Sequence, residues 1–360
     1  MTTLSSNTLP PQVCKRIVRW TRRSDLVALC LTCRALQREA EAKLYETIAS
    51  GNVQVTFRAC QSITSQARLG SYVRSFYVFQ DSRRSQREFS KEFWGVVQRA
   101  LSKMRSLECL VIHDPVYTNS WVLGDIARIP FQLQEARLLF YWDSNLVRFL
   151  ESQNKLKSLH TFDGPDGDPS LQLEVGSLPE LQVFDGSLVA AEHIVSVTTS
   201  LTHLQVTLDR GSESDVLTFI PRLSLLASLR ALNLLHLSER LAVQAVQLIA
   251  TTCCTLRHLG LIPLPLPGPD LIHIYRALLS MPHMQVLEVN TAAWTPQPTG
   301  VQQRILAADI RVYCPSIEYV CFWSGGGRTL WVLDGNDWSY HADNGHHLQL
   351  DGLWKPRGLF

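Results

Sequence analysis

LPPQVCKRIVRWTRRSDLVALCLTCRALQREAEAKLYETI, residues Leu9–Ile48, is the stretch on which the reading of this chain turns. After Leu9 and Pro10, apolar residues recur at helical spacing through Val13, Ile17, Val18 and Trp20. A polar break, Thr21-Arg22-Arg23, leads to Ser24-Asp25, whose short side-chain oxygens suit a helix N-cap. A second helical run passes through Leu26, Leu29, Cys30 and Cys33, and a third through Leu36, Ala40, Leu44 and Tyr45. Three short helices in about forty residues bury too little surface to be stable alone. Such a unit must borrow apolar contact from the chain behind it, from a partner, or from both.

The same residues resemble an F-box, in the form common in fungal proteins. That pattern has Leu-Pro at its start, apolar residues one and two turns later, Asp-Leu opening the second helix, Cys or Ser before Arg, and Ala-x-x-x-Leu-Tyr near its end. Here these are Leu9-Pro10, Val13, Ile17, Asp25-Leu26, Leu29, Cys33-Arg34, Ala40 and Leu44-Tyr45. The chain departs from the pattern at Cys14 and in the basic run Arg19–Arg23. The resemblance implies a face that docks on a Skp-type adaptor, carried by Leu9, Pro10, Val13, Ile17, Leu26, Leu29, Cys33, Leu36, Leu44 and Tyr45. Without the resemblance, the segment reads as a helical cap on the domain that follows.

Outward from this stretch, 360 residues are long for one core, so two domains or one elongated repeat array are expected. The composition, 46% apolar and 18% charged, is that of a folded protein. No apolar run is long enough for a membrane span. The opening MTTLSSNTLPP lacks the apolar core of a secretion signal. Nine cysteines show no disulfide-like spacing and read as buried free thiols, and no Asn-x-Ser/Thr signal occurs. A cytoplasmic or nuclear protein is expected. Residues 1–110 hold 18 Lys and Arg against 8 Asp and Glu, whereas the remainder holds 16 against 24. A basic front end favours an acidic partner through complementary potential.

Past residue 50 a short phrase recurs. It appears as Val73-Arg-Ser-Phe76, Leu107-Glu-Cys-Leu110, Leu133-Gln-Glu-Ala136, Leu156-Lys-Ser-Leu159 and Leu181-Gln-Val-Phe184. Leu201-Thr-His-Leu204, Leu229-Arg-Ala-Leu232, Leu256-Arg-His-Leu259, Met284-Gln-Val-Leu287 and Ile317-Glu-Tyr-Val320 follow. Leu-x-x-Leu-x-Leu makes a short strand with alternate residues inward, preceded by a turn that buries one more leucine. Amphipathic runs such as Ser238–Ala250, Asp270–Leu279 and Val301–Tyr313 lie between, the last two ending near Pro282 and Pro315. The expectation is an α/β fold, with the helical unit at 1–50 followed by an irregular leucine-rich-repeat-like solenoid at 51–323. The phrases at Leu133 and Leu181 fit least well, the second because it follows the turn-rich loop Asp163–Pro169. The tail at 324–360 reads as a β-hairpin cap, with strands Thr329–Leu333 and His347–Leu350 and area from Trp331, Trp338 and Trp354.

Catalytic and metal patterns are sparse. Ser324-Gly-Gly-Gly-Arg328 carries no Walker or Gly-x-Gly-x-x-Gly pattern and reads as a flexible junction. Cys30-x-x-Cys33 lacks a second ligand pair at zinc spacing, and both thiols read as packing residues on the second helix. His341, His346 and His347 read as loop histidines. No cofactor, metal or catalytic activity is expected. The resemblance implies a substrate receptor of an SCF-type (Skp–cullin–F-box) ubiquitin ligase, binding a Skp-type adaptor, through it a cullin, and a target protein. A ubiquitin-independent binding scaffold is the alternative. Target contact is expected on strand positions that alternate with the leucines, His203, Gln205, Asn233, His258, Glu288 and Tyr319. This row lacks Lys and Arg, so nucleic acid is not an expected partner, nor is a membrane.

Overall fold

The computed structural model describes residues 9–79, 89–124 and 129–342, apart from 163, 165, 166, 169, 210, 212 and 326. By internal packing the chain divides into two compact units, Met1–Leu156 and Lys157–Phe360. The divisions at 50/51 and 323/324 expected from the sequence fall inside them.

The first unit opens with α1 (Pro11–Trp20), α2 (Leu26–Cys30) and α3 (Arg34–Tyr45). Proline at the first helical position of α1 fits, because its missing N–H is one no helix start can satisfy. Cys14 and Val18, one turn apart, face inward and meet Leu26, Leu36 and Ala40 in a small core. Leu29, Cys30 and Leu44 pack against its edge. Ser24-Asp25 does not cap α2. The Ser24 hydroxyl donates to Asp25 Oδ1 at 3.0 Å, and the pair sits within the 3-10 turn Arg23–Asp25. Arg23 instead fastens the unit, donating through Nη2 to the carbonyls of Leu44 at 3.1 Å and Thr47 at 2.8 Å.

Four parallel strands follow in chain order: β1 (Thr47–Ser50), β2 (Ser75–Val78), β3 (Cys109–His113) and β4 (Glu135–Leu139). Between β1 and β2 run α4 (Val53–Ser65) and α5 (Ala67–Gly70), and between β2 and β3 runs α6 (Lys91–Leu101). Between β3 and β4 the described residues include a 3-10 turn, Ser120–Leu123. α7 (Ser144–Glu151) follows β4, its N-terminus capped by Asp143, which accepts from the amides of Asn145 and Leu146. The phrase at Leu133 forms β4 even though alanine fills its fourth place, since Ala136 takes the inward position and is fully buried.

In the second unit, β5 (Ser158–Thr161), β6 (Val183–Ser187), β7 (His203–Thr207), β8 (Ala231–Leu235), β9 (His258–Pro263), β10 (Val286–Asn290) and β11 (Tyr319–Ser324) run parallel in chain order. Helices α8 (Leu188–Val197), α9 (Val216–Phe219), α10 (Glu239–Thr252), α11 (Pro269–Leu278) and α12 (Gly300–Tyr313) lie between successive strands from β6 onward. Most of the loop Asp163–Pro169 lies outside the described residues. Register aligns Leu204 with Leu232, Leu232 with Leu259, Leu259 with Leu287, and Leu287 with Val320, one continuous interior row. The opening residues of the phrases, Leu201, Leu229, Leu256, Met284 and Ile317, are also buried. Leu232→Ala is therefore expected to cost about 2–5 kcal/mol in urea unfolding, the range for buried leucine truncation. A cost below about 0.5 kcal/mol, as at a surface position, would contradict this register.

The tail hairpin has a different second strand from the one expected. β12 (Gly327–Asp334) pairs antiparallel with β11 and with β13 (Asp337–Ala342), so the chain turns at Gly335 with a positive φ of 61°. His347–Leu350, His346 and Trp354 lie outside the described residues. Ser324 faces Gly327 where β11 turns into β12. Buried Gln303 on α12 receives Thr329 Oγ1 at 2.7 Å and Trp331 Nε1 at 3.1 Å, which docks the hairpin on that helix.

Candidate functional site

In the first unit, a flank of α1 beside its core-facing side is apolar yet uncovered. Leu9 is 43% exposed, Val13 41%, Ile17 37% and Trp20 85%, and spacings of three and four residues place the last three on one helix face. Val27 and Leu31, from α2 and the turn after it, are also exposed. Large apolar side chains grouped in this way on so small a helical unit mark an interaction surface. Pro10 and Cys33 are exposed, whereas Leu29, Leu44 and Tyr45 are partly covered. Leu26 and Leu36 are not available to a partner, because they form the core with Cys14. Cys33 is not on the second helix; it precedes Arg34 in extended conformation at the start of α3. The sequence reading overlooked Trp20, Val27 and Leu31 as contact residues, although the spacing of Trp20 already placed it beside Val13 and Ile17.

In the second unit, the strand positions alternating with the leucines form a hydrogen-bonded polar row. His160 Nδ1 lies 2.8 Å from Asp185 Oδ2, and Gln205 Nε2 donates to Asp185 Oδ1 at 2.8 Å. Asn233 Nδ2 donates to Gln205 Oε1 at 3.0 Å. His160, Asp185, Gln205, Asn233 and Gly260 are direct neighbours in the parallel register, so one side chain on each of four strands carries the row up to Gly260 on the fifth. A side chain at Gly260 would overlap the Asn233 carboxamide and crowd the His258 ring, so glycine there makes room for both. β9 bulges at the next residue, where Leu261 has φ 62°, and the row resumes through His258.

His258 Nε2 lies 3.3 Å from Glu288 Oε1, an ion-pair distance, though the ring orientation gives neither nitrogen a well-aligned hydrogen bond. Trp323 Nε1 donates to Glu288 Oε2 at 2.7 Å, and the Arg328 guanidinium sits 4.9 Å above the Trp323 ring. All six predicted contact residues, His203, Gln205, Asn233, His258, Glu288 and Tyr319, lie on these strands. His258 and Asn233 are each 3% exposed and Glu288 4%, however, so they are interior groups rather than open strand positions. Asn233 and Glu288 each hydrogen-bond a neighbour, through Asn233 Nδ2 to Gln205 and Glu288 Oε2 to Trp323, whereas Asn233 Oδ1 and both His258 nitrogens are buried without a hydrogen-bond partner. His203, Gln205 and Tyr319 are partly exposed, as are His160 and Asp185, which the sequence reading did not single out.

Burial pushes the Glu288 carboxyl up, but the hydrogen bonds and charges of His258, Trp323 and Arg328 outweigh it and leave the group below the ordinary range. Burial, aided by the nearby His258, lowers His203 from 6.5 to about 4. The folded second unit therefore binds fewer protons than the unfolded chain as pH falls from about 6.5 to about 4. Its stability is complete above that window and declines through it, at up to about 1.4 kcal/mol per pH unit for one such histidine. Glu288 adds a loss at lower pH, as the pH falls through its depressed pKa. Urea unfolding at several pH values should show this slope in the wild type and a flatter one in His203→Gln; equal slopes would contradict the assignment.

No group of three or more His, Cys, Asp or Glu side chains suited to a metal ion occurs among the described residues, and none of the described helices is long and apolar enough to cross a membrane. Asp114 and Asp143 serve local turns: Asp114 accepts from Val116 and Asn119, and Asp143 from Ser120 as well as the start of α7. In comparisons with known proteins, no family model matches the chain and no curated protein matches it.

Proposed function

We propose that the chain is a substrate receptor of an SCF-type ubiquitin ligase, with two separate contact surfaces and no chemistry of its own. The observation that carries this reading is the uncovered apolar face of α1, Val13, Ile17 and Trp20 beside Leu9, on the segment that resembles an F-box. In this reading that face docks on a Skp-type adaptor, and the adaptor brings the cullin. The basic residues exposed around it, Lys15, Arg16, Arg19 and Arg22, favour encounter with an acidic partner. Leu26 and Leu36 contribute indirectly, by holding α1 in place.

The second unit presents the target. Partly exposed His160, Asp185, His203, Gln205 and Tyr319 make the contacts, and the buried Asn233–His258–Glu288 segment keeps the row rigid beneath them. A receptor of this kind accelerates ubiquitin transfer by raising effective concentration and fixing orientation. Affinity purification of the tagged chain from its native cells tests the proposal. Recovery of a Skp-type adaptor and a cullin is the expected result. Capture of other proteins without either one would leave a ubiquitin-independent scaffold instead.

A further inference from the structure

On the other flank of α1 the first unit holds an open groove of about 360 Å³. Cys14 and Val18 turn into the core, and each residue step rotates a helix by about 100°. Val13 and Ile17, one step before that pair, therefore form the apolar flank, and Lys15 and Arg19, one step after it, line the groove. The second wall is α3, where Glu39, Lys43 and Glu46 recur at spacings of four and three on one stripe. The turns that lead into β2 and β3 supply the third wall, with Arg74 and Ser106. Small side chains at Ala42, Ser71 and Ser106 leave the space between the walls open.

Charge decides what such a groove takes. Four cations line it against two carboxylates. Lys43 already holds Glu46 at 3.0 Å, and Arg74 is paired with Glu108 outside the groove. Lys15 and Arg19 have no carboxylate partner among the described residues, and residues 1–8 ahead of α1 contain no Asp or Glu. Glu39 is then the one lining carboxylate set against them, so positive charge remains uncompensated. Among the described residues the Ser106 hydroxyl makes no hydrogen bond, so its O–H is available to donate. Two uncommitted cations one turn apart and a spare hydroxyl suit a compact group with several acceptor oxygens and more than one charge. A phosphate monoester is such a group, carrying nearly two negative charges at neutral pH.

We propose that this groove binds a phosphate group, free or as a small phosphomonoester, between Lys15 and Arg19 on α1 and the Ser106 hydroxyl before β3. The inference is independent of the adaptor and target readings, and it is tested on the full chain alone. NMR titrations at constant ionic strength use inorganic phosphate, glycerol 3-phosphate and, as the neutral control, glycerol. At least one of the two phosphates should bind saturably with a Kd of about 1 mM or below, and glycerol should not bind. The tighter of the two phosphates identifies the source as free or esterified. Lys15→Gln combined with Arg19→Gln, both at exposed positions, should weaken binding at least about tenfold, the scale of two exposed charge contacts. Ser106→Glu, which sets a carboxylate where the phosphate would sit, should do the same. Arg16→Gln, between the two cations in sequence but outside the groove, should change the affinity by less than about twofold. Absence of saturable binding by either phosphate at about 10 mM would overturn the proposal. So would a loss in Arg16→Gln equal to that in the double variant, which would mean general attraction to a basic helix, whatever Ser106→Glu does.

Discussion

Glu288→Ala is expected to destabilise the second unit by about 1–3 kcal/mol, the scale for leaving a buried hydrogen-bonding group without its partner. The substitution removes the carboxylate 3.3 Å from the His258 ring, which is 3% exposed, and leaves the Trp323 indole N–H without its acceptor. The His258 ring is buried away from water, which is why the cost exceeds that of a lost surface contact. His160→Ala at the open end of the same row should cost no more than about 1 kcal/mol, because the His160–Asp185 pair is partly solvated. Urea unfolding followed by tryptophan fluorescence compares the two. Equal, small losses would mean that the row is a set of independent surface contacts.

The second large effect concerns α1. Val13→Asp combined with Ile17→Asp should weaken binding to a Skp-type adaptor by at least about a hundredfold, because each charge would have to be buried in an apolar contact. Both side chains are more than a third exposed in the free chain, so the melting temperature should stay close to that of the wild type. Leu26→Asp supplies the contrast: it places a carboxylate in the small core with Cys14 and Ala40 and should unfold the helical unit itself. Loss of binding in both variants with loss of folding in one alone separates contact from support.

Much of the fold was legible in the chain because its signals are local and repeated. Leu204, Leu232, Leu259 and Leu287 sit at matching places in their phrases, and a strand of fixed alternation turns that spacing into register. The weak phrase at Leu133 also forms its strand, because its parallel neighbour β3 imposes the geometry that its own residues specify poorly. The end of the tail hairpin was not legible. Asp337–Ala342, DWSYHA, has a charge at its start and two more polar residues, and it becomes a strand because a two-residue turn lets it pair directly with β12.

The sites divide in the same way. Helical spacing gave the α1 face, including Val13 and Ile17. It could not separate Leu26 and Leu36, which are core, from residues that face out, since an apolar residue serves either purpose. Alternation put His258, Asn233 and Glu288 on the face opposite the leucines, but not their burial. That depends on hydrogen bonds between strands about thirty residues apart, such as Asn233 to Gln205 and Trp323 to Glu288.

The proposed docking of an adaptor on the helical face of α1 is tested most directly by a calorimetric titration of the purified full chain with a purified Skp-type adaptor. Saturable one-to-one binding at micromolar affinity or better is the predicted result. A folded chain that gives no heat and no shift in melting temperature at micromolar adaptor would contradict it.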